Sequence, residues 1–268
     1  MEERHQLVES EPLNPLGLRV EIAGNTDRGL ARPRNEDAFV ILPESTVPNW
    51  CSAVVGIFDG VGGLANGQEA SSRAARYLPE LLRGRPLCRV PNSGLGQAVA
   101  NLMLGLHSKL RADQRGEPAL GSMASTGTIA LLPRTSPTVL WIGHVGDSQV
   151  LRLRAGSIQK LVEEDSLVAA MQRDGLIQPE QARHHPQRHV ITQALGHDEE
   201  IVPHVSAHQV YTGDCYLLCT DGLTGMLPEA SILEIVTGKS PQAACRDLIM
   251  AANTAGGFDN ITVVIMQF

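Results

Sequence analysis

Short β-branched runs recur along this chain, and they do not alternate regularly with helices. LRVEIAG (18–24), DAFVIL (37–42) and AVVGIF (53–58) have the length and composition of strands. STGTIALL (125–132), TVLWIGHV (138–145), QVLRLR (149–154) and SIQKLV (157–162) follow as a group. IVPHVSAHQV, CYLLCT and the closing NITVVIMQF have the same character. The short RAGS link (154–157) predicts a hairpin between two of these runs. Helical spacing is confined to a few segments. Asn66 to Leu82 is predicted as a helix, with Asn66 as N-cap and Glu69 at the capping-box position. Its apolar face carries Ala70, Ala74, Tyr77 and Leu81, and Pro79 sits inside it. Leu95, Val99, Leu102, Leu106 and Leu110 mark a second helix over 94–112. Ser240 and Pro241 open a third, with Ala244, Leu248 and Ala251 on one face. Many strands, few long helices and no β-α-β rhythm argue against a doubly wound parallel sheet.

Residues 1–15 are polar with two prolines and read as a flexible leader. The rest, 16–268, is expected to fold as a single domain, with a polar insertion at about 163–190 lying over its surface. A hydrophobic fraction of 43% is enough for a sizeable core. The net charge of −7, with no dense Lys/Arg stripe, argues against nucleic acid as a partner. No 18-residue apolar stretch and no signal-like N-terminus are present, so no membrane partner is expected. Cys51, Cys88, Cys215, Cys219 and Cys245 are odd in number and lack a C-x-x-C spacing. They read as small packed hydrophobes in a reducing compartment. The expectation is a cytoplasmic monomer.

The strand ends are where chemistry gathers. The run from Ala53 to Phe58 stops at Asp59, followed by Gly60, Gly62 and Gly63. Asp147 follows VLWIGHVG, Asp221 follows CYLLCT, Asp259 precedes NITVVI, and Glu36 and Asp37 precede AFVIL. Any one Asp-Gly pair marks a turn more often than a ligand. Acids placed alike at so many strand ends can converge on one rim of a sandwich. There they would repel one another unless a cation sat among them. Oxygen ligands without paired His or Cys select Mg²⁺ or Mn²⁺ over Zn²⁺. A glycine beside such an acid leaves its carbonyl open to a cation. His144, His184 and His185 show no zinc-ligand spacing and read as core or surface histidines.

TDRGLARPRNEDAF (26–39), FDGVGG (58–63), GHVGDS (143–148), CTDGL (219–223) and GGFDNITVV (256–264) resemble the signature blocks of the metal-dependent serine/threonine protein phosphatases, the PPM or type 2C family, in that family's order. SLVAAMQRDG and ARHHPQRHVITQALG resemble its flap and post-flap segments. The resemblance covers about 17–268 and is nearest to the compact bacterial members. It implies an α+β fold, a four-layer αββα sandwich of two antiparallel sheets with the metal centre at one end. It also implies two core Mn²⁺ or Mg²⁺ ions and a third, weaker one.

On this resemblance Asp59 bridges the two core ions and the Gly60 carbonyl binds the second. Asp221 and Asp259 complete the first, Glu36 and Asp37 hold waters around the second, and Asp147 with Asp221 holds the third. Arg32 is implied as the phosphate-binding arginine, while Arg28 and Arg34 read as surface charges. Catalysis would rest on Arg32, Asp59 and Asp221, with a metal-activated water attacking phosphorus. The chain departs from the family pattern at Val61, where some relatives carry histidine, and at Gln149, where arginine is common. It departs again at Asp165, where histidine is frequent, and at His189, where asparagine is frequent.

The implied function is removal of phosphate from phosphoserine and phosphothreonine on proteins, opposite a cognate Ser/Thr kinase. Two other readings stay open at this level. One is a catalytically weak phosphatase fold that serves as a regulatory or binding module. The other is a metal phosphoesterase for small molecules or nucleic acid.

Overall fold

Alternate residues of the central strands face two different apolar cores. In a computed structural model that describes residues 4–9, 19–47, 50–61, 66–83, 94–117, 122–178, 181–182, 185–197 and 200–268, strand β4 (Cys51–Asp59) shows the pattern plainly. Val54 and Phe58 point to one core, while Ala53, Val55 and Ile57 point to another. Both faces are therefore covered, and the run is apolar throughout rather than alternating apolar with polar.

The first sheet has the order β1 (Arg4–Glu9), β2 (Glu21–Asp27), β11 (Ile261–Gln267), β10 (Cys215–Cys219), β7 (Gln149–Arg154), β8 (Ser157–Lys160). The second runs β3 (Asp37–Leu42), β4, β5 (Gly127–Pro133), β6 (Val139–Val145), β9 (His204–Gln209). Every pairing is antiparallel. Ile22, Ile41, Val55, Leu140, Tyr216, Leu218, Val264 and Met266 fill the space between the sheets. Side chains of this size contribute about 1.5–3 kcal/mol each when fully buried. On the outside, α1 (Gly67–Arg83) packs against β3 and β4, and α2 (Leu95–Gly116) against β6 and β9. On the opposite outer face α6 (Pro241–Thr254) covers β2 and β11, with α5 (Glu229–Val236) against it. The expected αββα sandwich of two antiparallel sheets is what forms.

Local expectations hold where periodicity is strong. Leu95, Val99, Leu102, Leu106 and Leu110 of α2 are all buried. Ser240 caps α6 by accepting from the Ala243 amide, with Pro241 as the first helical residue. The predicted hairpin closes through Ala155 and Gly156, whose φ values of 49° and 77° suit the tight two-residue turn that twisted strands prefer. Residues 4–9 differ from the flexible-leader reading: they lie along β2, with Arg4 opposite Thr26 and Glu9 opposite Glu21. The predicted face of α1 does turn inward: Ala70 and Ala74 are buried, Tyr77 and Leu81 pack partly buried against the same core, and Leu78 and Leu82 widen that face. The Tyr77 hydroxyl donates to Asp113 of α2 at 2.5 Å. Glu69 binds Arg73 at 2.6 Å.

The 163–190 segment holds α3 (Leu167–Arg173), capped by Ser166. Its two ends are stitched together by Leu167 N–H donating to the Val190 carbonyl at 2.8 Å and by a bridge between Ser166 and Ile191. A short α4 (Asp221–Thr224), which sequence periodicity does not reveal, begins where β10 ends.

Candidate metal and phosphate site

The register of β3 on β4 sets Asp37 directly opposite Asp59. This is a cross-strand pair of like charges, which a sheet does not choose for stability. Asp221 stands just past β10, Asp147 just past β6, and Asp259 shortly before β11. Strands of both sheets thus deliver carboxylates to one end of the sandwich.

The electrostatics show that these groups sense one another. Burial, followed by repulsion from Asp37, Asp221, Asp147 and Asp259, raises the Asp59 carboxyl well above the usual range. Burial and then Asp221 do the same to Asp147. Asp37 is pushed up to about 7, first by burial, with Asp221 and Asp259 adding repulsion and hydroxyl hydrogen bonds opposing it. One of those hydroxyls is Thr220, which donates to Asp37 Oδ2 at 2.9 Å. Asp37 Oδ1 is buried with no hydrogen-bond partner. Among the described residues no three His, Cys, Asp or Glu side chains already stand close enough together to hold a metal ion. A divalent cation fits this set. The donors are hard oxygens, one of them is an orphaned buried acceptor, and a cation would reverse the repulsion.

The backbone around the acids is equally constrained. A Cβ on Gly60 would come within 2.4 Å of the Gly67 carbonyl oxygen and 2.6 Å of the Glu36 one. Gly60 N–H donates to the Glu36 carbonyl at 3.1 Å, and the Ser71 hydroxyl donates to the same oxygen at 2.5 Å. Thr126 grips Asp59 from both sides, its amide donating to the Asp59 carbonyl at 2.8 Å and its Oγ1 accepting from the Asp59 amide at 3.0 Å.

Arg32 reaches the cluster from the loop before β3. Its Nη2 donates to Asp259 Oδ2 at 2.7 Å, and that bond, with Glu36 and Asp221 nearby, holds the guanidinium firmly charged. Arg28 and Arg34 are exposed. The structure therefore brings Arg32, Glu36, Asp37, Asp59, Gly60, Asp147, Asp221 and Asp259 to one region, with Arg32 alone of the three arginines bonded through its side chain to one of these acids.

Some organising residues carry no periodic or charge signal. Asn260 is buried; its Oδ1 accepts from the Glu36 amide at 2.8 Å, and its Nδ2 donates to the Arg28 and Arg34 carbonyls, each at 2.8 Å. It thereby fixes the arginine loop to the residue beside Asp259. Asp165 is buried too. Its Oδ2 accepts from the Gly146 amide at 3.0 Å, its own amide donates to the Gly146 carbonyl at 2.7 Å, and Gln193 and His204 bind its Oδ1 at 2.9 Å each. This grip sets the backbone that presents Asp147. His144 Nε2 donates to the same Gly146 carbonyl at 2.9 Å, so its Nδ1 accepts from the Thr128 hydroxyl at 2.8 Å. Burial lowers its pKa to about 4, so the ring is neutral. His189 Nδ1 lies 3.6 Å from Asp221 Oδ2. Val61 donates its amide to the Ala124 carbonyl at 2.9 Å, and Gln149 donates to Glu164 at 2.7 Å.

Comparison with known proteins decides the family. The family model for protein phosphatase 2C matches residues 32–245. The chain belongs to the protein phosphatase 2C family. As a member of that family it is 32% identical over 249 residues to the serine/threonine protein phosphatase PstP of Mycobacterium tuberculosis, with 92% of this chain and 45% of that one covered. The chain thus spans less than half the length of that relative. It is 30% identical over 243 residues to the serine/threonine phosphatase stp of Listeria innocua, with 90% and 93% covered. A crystal structure of the catalytic domain of PstP in complex with two manganese ions superposes with a TM-score of 0.76 at 29% identity, covering 92% of this chain and 97% of that one. No helix among the described residues is long and apolar enough to cross a membrane.

Proposed function

We propose that this protein hydrolyses phosphoserine and phosphothreonine on proteins with the help of Mn²⁺ or Mg²⁺. The observation that carries the reading is the convergence of Asp37, Asp59, Asp147, Asp221 and Asp259 at one end of a 2C fold, with Arg32 on their edge. When bound, the cation pair supplies Lewis acidity and brings a coordinated water to ionise near neutral pH.

In this proposal Asp59, Asp221 and Asp259 would hold the first ion, and Asp59 with the Gly60 carbonyl would hold the second. Glu36 and Asp37 would act on the second through water. Asp147 and Asp221 would hold a third, weaker ion. Arg32 binds the phosphate dianion through paired hydrogen bonds and sets it in line for attack. The bond that breaks joins phosphorus to the serine or threonine oxygen; the attacking water's oxygen becomes part of free phosphate, and a proton it gives up ends on the departing hydroxyl. Asn260 and Thr126 act through others: the first positions the arginine loop, the second the Asp59 backbone.

The same proposal includes a single catalytic domain over 16–268 with a flap at about 163–190. It includes a cognate Ser/Thr kinase that makes the substrates, and action as a cytoplasmic monomer. What supports the single domain is that β2, near one end of the chain, pairs with β11 at the other.

Phosphate release from a phosphothreonine peptide, with and without Mn²⁺, tests the reading. Turnover should need Mn²⁺ or Mg²⁺ and vanish on chelation. Undiminished turnover in chelator, or turnover confined to small phosphate esters, would refute it.

A further inference from the structure

Two large apolar side chains stand in solvent beside the proposed phosphate site. Leu30 is 67% exposed and Phe258 is 66% exposed. Both rest on a turn made of two bare residues, Gly256 and Gly257, with φ of 136° and 54°. A Cβ on Gly256 would meet the Phe258 ring at 2.9 Å, and one on Gly257 would meet Leu30 Cγ at 3.0 Å. The two side chains therefore lie against consecutive residues of one turn. The Leu30 and Ala31 amides both donate to the Gly257 carbonyl, at 2.7 and 3.2 Å, so the loop and the turn are tied together. The turn adjoins the phosphate site: Asp259 follows Phe258, Arg32 lies two positions after Leu30, and the two are hydrogen-bonded at 2.7 Å. Arg28 and Arg34 are exposed on the same loop.

We propose that Leu30 and Phe258 form a docking shelf for a phosphorylated peptide segment that carries an aliphatic or aromatic residue within two positions of the phosphorylated one. The inference rests on the protein-phosphatase reading and adds a substrate class to it. Charge complementarity places the anionic phosphate on the arginine side and leaves the apolar neighbour over the shelf. Size also favours a single side chain as the occupant. A Phe buries on the order of 150–250 Å², so two such residues fall far short of the roughly 1,000 Å² that a specific interface between two copies needs.

The test compares two phosphothreonine peptides that differ only in having leucine or serine on either side of the phosphothreonine. The aryl ester p-nitrophenyl phosphate serves as the reference, with Mn²⁺ present throughout. Wild type should favour the leucine peptide by about 5- to 20-fold in kcat/KM, as partial burial of one such side chain implies. Leu30→Ser combined with Phe258→Ser should remove that preference and leave the aryl phosphate rate within about twofold. A wild type that hydrolyses both peptides equally, or a preference that survives the double substitution, would overturn the shelf alone. So would an aryl phosphate rate that falls in step with the peptide rate, or a dimer in sedimentation that the substitutions dissolve. A wild type that turns over the aryl ester and neither peptide would instead overturn the protein-phosphatase reading, and the shelf with it.

Discussion

Arg32 is held by Asp259 yet is still free to serve a substrate. Their side chains are 39% and 28% exposed, and a pair so wetted contributes at most about 1 kcal/mol. A phosphate dianion can therefore displace Asp259 at small cost. Charge-assisted hydrogen bonds are worth about 1.5–3 kcal/mol, so Arg32→Ala should lower kcat/KM on a phosphopeptide by about 10- to 150-fold. Arg34→Ala, on an exposed residue, should change it little; equal small effects at both would show the phosphate site to be elsewhere. His144 gives a different prediction at this scale. Its folded pKa of about 4 lies below the ordinary value of 6.5, so the unfolded chain takes up a proton that the folded one refuses. The stability it contributes is present above pH 6.5 and is lost as pH falls towards 4. The loss amounts to about 3 kcal/mol at most. Urea unfolding at several pH values should show this slope in wild type and a flatter one in His144→Gln. The difference between the two proteins removes the opposite contribution of the buried aspartates, whose raised pKa values favour folding at low pH.

At the scale of the element, the 163–190 segment is mostly polar in sequence but anchored at its base. Leu167 and Val190 are joined by a 2.8 Å hydrogen bond, so residues 168–189 can be replaced by a short turn without cutting the grip of Asp165 on Gly146. None of the proposed metal carboxylates lies in the excised stretch. The replacement should alter rates on phosphoproteins far more than the rate on an aryl phosphate. Equal losses on both would make the flap a structural part of the site. This element was only partly legible in the sequence. Its polarity marked it as a surface insertion, but Asp165 looked like a mere departure from a family pattern. Only the packing shows that this buried carboxylate holds the loop before Asp147.

For the whole molecule, a collection of repelling carboxylates is a cost that a cation removes. Mn²⁺ at about 100 times its Kd should add about 2.7 kcal/mol, seen as a rise of roughly 5–10 °C in Tm. Asp59→Asn removes a buried charge from the centre of the cluster. It should raise Tm by a few degrees in chelator, shrink the rise given by Mn²⁺, and abolish nearly all turnover. An Mn²⁺ shift of the same size in both proteins would place the cation elsewhere.

The sequence by itself determined much of this. The short β-branched runs, the spacing in α2 and the Ser240-Pro241 cap are local properties, written in which side chains sit next to which. Strand-end acids beside glycines marked the chemistry, and their order marked the family. The tertiary structure decided the rest, because it depends on contacts between residues far apart in the chain. The Tyr77 hydroxyl of α1 meets its partner, Asp113, only across the helix pair. The pairing of residues 4–9 depended on an edge that β2 offers only once the sheet exists. The family resemblance had already singled out Arg32, but its partner Asp259, 227 positions away, appears only in the fold. Asn260, beside an acid already singled out, gained its role only when folding brought the Glu36 amide to its side chain.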